Sequence, residues 1–227
     1  MWQPLSKTKG TQGNILFSHH ASSTGGGLSI LITHVISSWS YVEASFGIVM
    51  AAFLKGNGKT AAAMYSTINT FRAQEDALKA AASLSLNEED HNVFLDVLLS
   101  VKPMAKVRHH FAHWLWGSCD TLPNHMLLVR PQELWIHHAN VRAHAYQLTE
   151  DQIKNTDFEK FDRSKIQVWS AESLSQAVMN VDLCADLVKA LADYLETPPG
   201  PSRDLLYRQM YLQPLMQKAQ KKRQGKS

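Results

Sequence analysis

Apolar residues recur at three- and four-residue steps over long stretches of this chain, which is the spacing of one face of an α-helix. The first stretch, from Ile32 to Phe53, predicts a helix that ends at the Gly56-Asn57-Gly58 turn, because these residues accept left-handed backbone conformations. An Ala-rich stretch then predicts a second helix over 59–83, since alanine has the highest helix propensity.

Capping signals bound the remaining predicted helices. Asn87 precedes three acidic residues and predicts the start of a third helix, which continues to Leu115 with a kink or restart at Pro103. Ser170 caps the last apolar stripe, and the Pro-rich residues 197–201 end it. Short links between the first three helices favour antiparallel neighbours in a bundle.

The stretch between the third and fourth helices has a different character. Residues 126–129 and 134–136 are short apolar runs bounded by turn residues, and they predict strands or extended segments. We therefore predict a mainly α protein: an antiparallel four-helix bundle at 28–196 with a small mixed or β insertion at about 117–168 between helices 3 and 4.

Both ends of the chain lack a sustained apolar pattern. Residues 1–27 are predicted to be disordered, with a flexible linker at 22–27. Residues 197–227 hold seven Lys/Arg and one Asp, whereas the remainder holds 16 basic and 19 acidic residues. We predict a basic flexible tail at 197–227, which can contact RNA phosphates or an acidic surface or remain a solvated terminus.

Composition limits the classes of protein to consider. With 227 residues, 44% of them hydrophobic, the chain can bury a core without disulfides. Its two cysteines, Cys119 and Cys184, have no motif spacing and fit a reducing compartment. No apolar run approaches the ~20 residues that span a bilayer, and no signal peptide is recognisable, so a cytoplasmic location without membrane contact is expected.

The segment from Arg108 to His113, RHHFAH, concentrates chemically capable side chains. His109 and His113 are four residues apart and share a helix face, which raises the possibility of a metal site. A zinc site needs three or four ligands, often with a carboxylate or cysteine, and no acidic residue sits beside these histidines. We therefore expect neither a metal nor another cofactor.

Arginine and histidine together offer another chemistry. The guanidinium of Arg108 has a fixed fork of donors that suits phosphate oxygens, and the imidazole of His113 can pass a proton near neutral pH. Such a pair suffices for metal-free RNA cleavage, in which a base activates the ribose 2′-hydroxyl and a cation stabilises the charged phosphorane. Five residues apart, the two side chains can flank a groove or meet across a dimer interface.

The segment resembles the RxxxxH motif of HEPN-domain proteins, a divergent all-α superfamily. The similarity to bacterial HEPN-like proteins extends to Trp39 and Glu43 in the first helix, and to an Ala-His step followed by Trp114, Leu115, Trp116 and Gly117. It covers roughly residues 28–130. The position after the arginine, often Asn, Asp or His in the family, is His109 here.

The resemblance implies a metal-independent endoribonuclease, often a homodimer with a shared site, in a toxin, phage-defence or RNA-processing setting. Arg108 and His113 would be the catalytic pair and His109 a polar residue beside them. Glu43 would orient one of them from the facing helix, with Trp114 and Trp116 also open to a site role. A protein partner such as an antitoxin is also implied, and other HEPN proteins only bind partners.

A purely structural interpretation stays open at this point. Arg108 can form a salt bridge to Glu43 or another helix carboxylate, and His113 can cap the helix C-terminus, where a cation is favoured. The chain is then a non-enzymatic helical module that binds a protein or nucleic acid through its bundle or its tail.

Overall fold

The computed structural model describes residues 2–9, 13–18, 26–55 and 58–225, and in this part the chain is mainly helical with a small antiparallel sheet. The helices are α1 (Gly27–Leu54), α2 (Gly58–Ser66), α3 (Phe71–Ser85), α4 (Glu88–His113), α5 (Pro131–Ala145), α6 (Glu150–Asn155), α7 (Ala171–Glu196), α8 (Pro201–Leu212) and α9 (Pro214–Arg223). The strands are β1 (Gln3–Pro4), β2 (Ile15–Phe17), β3 (Leu115–Cys119), β4 (His125–Val129) and β5 (Gln167–Ser170). The mainly α prediction is confirmed.

The chain divides into two compact units, and long helices run from one into the other. The first unit comprises Met1–His34 and His109–Val178, and the second comprises Val35–Arg108 and Met179–Ser227. The predicted insertion at about 117–168 thus belongs to a unit that also includes the start of the chain.

The first unit is built on the five-stranded sheet, with strand order β1-β5-β4-β3-β2 and every pair antiparallel. Because successive residues of a strand face opposite sides, the sheet has two distinct faces. On one face Leu127, Val129 and Val168 form a core with Leu5, and Leu134 of α5 and Phe161 pack against it.

The prediction that residues 1–27 are disordered is wrong where the structure describes them. Strands β1 and β2 pair with β5 and β3, and Leu5 is fully buried while its N–H donates to the Ile166 carbonyl at 2.9 Å. Strands of two and three residues are too short to produce a recognisable alternation. Of the predicted linker at 22–27, residues 22–25 lie outside the described part, and Gly27 already begins α1.

Two other boundaries differ from the sequence expectation. The predicted helix over 59–83 is two helices, because Thr70 starts a new one by accepting a hydrogen bond from the Ala73 N–H at 3.2 Å. Residues 134–136, predicted to be extended, lie in α5, which begins with Pro131 at its first position.

Helix α4 forms the middle of the second unit. Its first turn is capped by Asn87, whose Oδ1 accepts from the Asp90 N–H at 2.9 Å. It then runs through Pro103 as one helix to His113, so the alternative of a restart at Pro103 is wrong. Phe53 and Phe94 pack edge to face, with ring centroids 5.3 Å apart, which joins α1 to α4.

The prediction of a flexible tail at 197–227 is wrong for the two helices that this segment contains. Met210 of α8 and Met216 of α9 are buried in the second unit, and the Ser100 hydroxyl donates to the Leu215 carbonyl at 3.1 Å. Part of the basic charge is used internally, since Arg203 and Arg223 form ion pairs with buried aspartates. The polar composition concealed a small apolar stripe that includes Met210 and Met216.

Helix α1 is the one described helix that is long and apolar enough to cross a membrane by length and composition alone. Its most apolar 18-residue window has a mean hydropathy of 1.2, and 39% of that window is buried. The buried side chains follow one stripe that includes Ile32, Trp39 and Phe46, whereas Thr33, Ser37 and Ser40 are exposed. Ile30, Tyr41 and Ile48 are exposed as well. Length and apolar composition are weak evidence for a membrane span, because the core helix of a soluble protein passes the same test.

The two cysteine thiols are free and buried. Burial raises the pKa of Cys184 to about 12, so its reactive thiolate is scarce at neutral pH. We therefore expect neither thiol of the native protein to react with Ellman's reagent at pH 7.5 until denaturant unfolds the chain. Rapid labelling of native protein that persists in Cys119→Ser and disappears in Cys184→Ala would contradict the described packing.

Candidate functional site

The last turn of α4 is anchored on the sheet of the first unit. His110 is 5% exposed, with its Nδ1 3.3 Å from Oε1 of Gln167, and its ring stacks on Trp114 at 4.0 Å between centroids. Phe111 packs edge to face on Trp169 at 4.7 Å. These contacts fix the rotation of the helix end about its axis.

The opposite side of the same turn presents two histidines to solvent. His109 and His113 are both exposed, and their ring centroids are 4.8 Å apart with the planes at 48°. Because they are four residues apart on a helix, the shared direction follows directly from the sequence. Imidazole side chains are frequent proton-transfer groups in catalysis.

Arg108 begins the motif and is half-buried. Its Nε is buried and has no hydrogen-bond partner, and none of the ion pairs among the described residues involves this side chain. The alternative in which a helix carboxylate neutralises Arg108 therefore receives no support here. A buried guanidinium N–H without a partner calls for a physical explanation. Because this Nε is closed to solvent, an anion bound to Arg108 would contact the other guanidinium nitrogens.

Glu43 has a different partner from the one that the motif suggested. Its Oε1 accepts a hydrogen bond from Nε1 of Trp39 at 2.7 Å, within α1. Burial, followed by the charge of Glu43, raises the pKa of the nearby Tyr65 well above its usual value. Glu43 thus acts as an acceptor inside the second unit, and an orienting role toward Arg108 stays a prediction.

Trp114 and Trp116 stabilise the junction between α4 and β3. The Trp114 indole stacks on the His110 ring and also contacts the guanidinium of Arg130, whose Cζ is 5.5 Å from the indole centroid. The Trp116 Nε1 donates to the carbonyl of Phe111 at 2.9 Å, one of the acceptors that a helix end leaves unsatisfied. These contacts account for both tryptophans through packing.

Gly117 completes this junction because Phe17 of β2 crosses directly over it. A Cβ at Gly117 would lie 2.5 Å from Cδ1 of Phe17 and 2.9 Å from the Leu16 carbonyl oxygen. Both distances are shorter than real Cβ contacts, so only glycine fits without displacing β2.

We expect Gly117→Ala to lower the free energy of unfolding by about 1–3 kcal/mol, the usual cost of overpacking. Gly47→Ala is the matched control, because its new Cβ meets only Tyr65 Cδ1 at 3.6 Å and alanine favours a helix interior. Thermal melts, monitored by circular dichroism, compare the melting temperatures of the two variants. A Gly117→Ala protein that melts with or above Gly47→Ala would contradict this packing.

Comparisons with protein-family models, curated proteins and solved structures gave no match for this chain. In the part of the chain that the structure describes, no group of three or more His, Cys, Asp or Glu side chains lies close enough to hold a metal ion.

Sequence reasoning identified the exposed pair but missed what holds it in place. The roles of His110 and Gln167 come from the sheet, which brings residues 57 positions apart into contact. Arg130 is also missed, and it stands immediately before the proline that starts α5. A buried glutamine in a short strand leaves no signal in a single sequence.

Proposed function

We propose that this chain is a metal-independent endoribonuclease of the HEPN type. The proposal rests on the last two turns of α4, where a guanidinium with a buried, unpartnered Nε precedes two adjacent exposed imidazoles. A guanidinium that no carboxylate neutralises can still donate hydrogen bonds to phosphate oxygens.

In the proposed reaction, His113 accepts the proton of the ribose 2′-hydroxyl, and the 2′-oxygen attacks the adjacent phosphorus. The bond from phosphorus to the 5′-oxygen breaks, which leaves a 2′,3′-cyclic phosphate and a 5′-hydroxyl. His109, as an imidazolium, supplies the proton that the departing 5′-oxygen requires. Arg108 donates to the non-bridging oxygens, where negative charge accumulates in the transition state.

A four-helix bundle of HEPN type is part of the proposal. Within the second unit, residues of α1 meet α3 through Trp39 and Phe71, whose ring centroids are 5.3 Å apart. Helix α4 meets α7 where the Cys184 thiol lies 4.0 Å from the Ser100 carbonyl. Helices α1, α3, α4 and α7 would be the four helices of the proposed bundle. We further propose that two copies of the chain associate as a homodimer.

RNA is the proposed partner, and exposed cations offer contacts for its phosphates. Arg208, Lys218, Lys221 and Lys222 of α8 and α9 are exposed, and they form none of the ion pairs found among the described residues. Because α8 and α9 are folded, these cations are held at fixed distances from one another, which suits contacts with successive phosphates of an RNA backbone. A cytoplasmic location, a toxin or phage-defence setting and an antitoxin-like protein partner belong to the same proposal.

The chemistry of the product ends tests this proposal. Purified wild-type protein, incubated with a 5′-labelled mixed-sequence RNA in EDTA, is expected to leave 2′,3′-cyclic phosphate and 5′-hydroxyl ends. A substrate with a 2′-deoxy nucleotide at the cleaved position should remain intact, because the nucleophile is missing. Intact RNA, or cleavage of the 2′-deoxy substrate at the same position, would refute the mechanism.

A non-enzymatic interaction module is the second candidate, and helix α5 favours it. This helix has no buried residue and leaves Trp135 63% and Ile136 60% exposed, which is uncommon for large apolar side chains on a free surface. If α5 carries the function, Trp135→Ser with Ile136→Ser should abolish capture of a protein partner, while Arg108→Ala should leave it unchanged.

A further inference from the structure

A cavity of about 400 Å³ lies within the first unit, away from the residues proposed for catalysis. Its lining combines apolar side chains with four basic or titratable ones. The residues are Ile15, Phe17, Leu134, His137, His138, Lys160, Phe161, Arg163 and Ile166. Its volume falls within the range of small-molecule sites, which typically have apolar walls and a few polar groups.

Residues from separate elements of the first unit line this cavity. Strand β2 contributes Ile15 and Phe17, while α5 contributes Leu134 and the two histidines in its second turn. The ring of His137 stands edge to face on Phe161, at 5.3 Å between centroids and 80° between planes. Such an aromatic pair can pack against a further flat ring, either edge to face or in an offset stack.

The electrostatics of the lining favour an anion. No carboxylate is among the described residues that line the cavity, although Glu133, Glu159 and Asp162 each stand next to a lining residue in the sequence. The Glu133 carboxylate lies 3.8 Å from Nζ of Lys165, and Oδ1 of Asp162 accepts from the Ser164 N–H at 2.8 Å. The charged side chains in the described lining are Lys160 and Arg163, and both are cationic.

The cavity and the RHHFAH segment contact opposite faces of the sheet. Ile166 lines the cavity, and Val168 belongs to the core that Leu134 and Phe161 cover. Their neighbours Gln167 and Trp169 face the other way and contact the end of α4. A ligand in the cavity therefore occupies a site distinct from the proposed catalytic one.

We propose that this cavity binds a small aromatic organic anion, with its ring against Phe17, Leu134 and Phe161 and its charged group near Lys160 and Arg163. Such a ligand can be a nucleoside monophosphate or an aromatic carboxylate. Both share a flat ring and one anionic group. The proposal does not depend on ribonuclease activity.

The test uses 1-anilinonaphthalene-8-sulfonate, an aromatic anion whose fluorescence rises when it leaves water. Native protein is expected to bind one equivalent saturably. Displacement by AMP identifies a nucleotide site, and displacement by 2-naphthoate alone identifies a carboxylate site. Absence of saturable binding, or displacement by neither competitor, would overturn the proposal.

Variants connect the binding to this cavity. Leu134→Trp fills it and should abolish binding, and Lys160→Glu should weaken binding about fivefold, the effect of one exposed charge contact. Lys154→Gln, on the exposed helix α6, is the matched control and should bind as wild type does. Circular dichroism melts establish that each variant is folded. Equal affinity of wild type and the folded Lys160→Glu and Leu134→Trp proteins would overturn the assignment.

Discussion

Asp96→Ala is expected to lower the free energy of unfolding by about 3–5 kcal/mol, the effect of removing one partner from a buried ion pair. The Asp96 side chain is fully buried and accepts from Arg223 Nε at 2.7 Å and from the Tyr211 hydroxyl at 2.7 Å. Burial of Tyr211, together with this hydrogen bond, raises the pKa of its hydroxyl well above the usual value, so it remains a donor. The variant leaves three donor atoms of Tyr211 and Arg223 without this acceptor.

Urea denaturation, monitored by circular dichroism, measures this loss of stability. Asp186→Ala is the control, since this aspartate on α7 is exposed, and its effect should stay within about 0.5 kcal/mol. Deleting residues 201–227 removes Tyr211, Arg223 and the buried Met210 and Met216 at once, so the truncated chain should be more severely destabilised. Equal urea midpoints for wild type and Asp96→Ala would contradict the packing of α8 and α9.

A role for the basic segment in RNA binding needs variants that keep the fold intact. Deleting 201–227 would remove part of the fold along with the charges, so lost binding would have two causes. Replacing Lys218, Lys221 and Lys222 by glutamine removes exposed charges only. RNA affinity that falls in the triple variant, with an unchanged urea midpoint, isolates the electrostatic contribution.

His113→Ala and Arg108→Ala should each reduce RNA cleavage by about 100-fold or more. Loss of a general acid or base typically costs about 10²–10⁴-fold, and loss of a donor to transition-state charge costs about 10²–10³-fold. Arg108→Lys should retain part of the rate, because lysine keeps the charge but loses the fork of donors. Single-turnover rates with a labelled RNA, in EDTA, give these ratios.

Two controls make this series specific. His144→Ala removes an exposed histidine of α5 rather than α4 and should cleave as wild type does. Melting temperatures within a few degrees of wild type exclude unfolding as the cause of lost activity. Equal rates for wild type, His113→Ala and Arg108→Ala would assign the cleavage to another site or to a contaminant.

The long helices could be predicted because apolar spacing and capping survive in one sequence. The stripe from Ile32 to Phe53 and the caps at Asn87 and Ser170 mark α1, α4 and α7 correctly. Strands β1 and β2 could not be predicted, since two- and three-residue strands have no periodicity and depend on partners at least 100 positions away. Helices α8 and α9 each have proline at their first position, a start signal that the basic composition concealed.

For the candidate site, the sequence predicts which side chains take part and which of them share a helix face, but not their surroundings. The four-residue separation of His109 and His113 predicts a shared face, and the structure places their rings side by side. That this face points to solvent depends on His110 and Phe111 being held by Gln167 and Trp169, contacts that tertiary structure alone provides. The missing partner of Arg108 Nε is likewise visible only in three dimensions.

We propose that the exposed end of α4 cleaves RNA through its own side chains. The most direct measurement compares single-turnover cleavage of one labelled RNA by wild type and His113→Ala, in EDTA and at equal concentrations of folded protein. Under this proposal, wild type is expected to yield 2′,3′-cyclic phosphate products, and the variant is expected to cleave at least about 100-fold more slowly. Equal rates, or no cleavage by wild type, would contradict it.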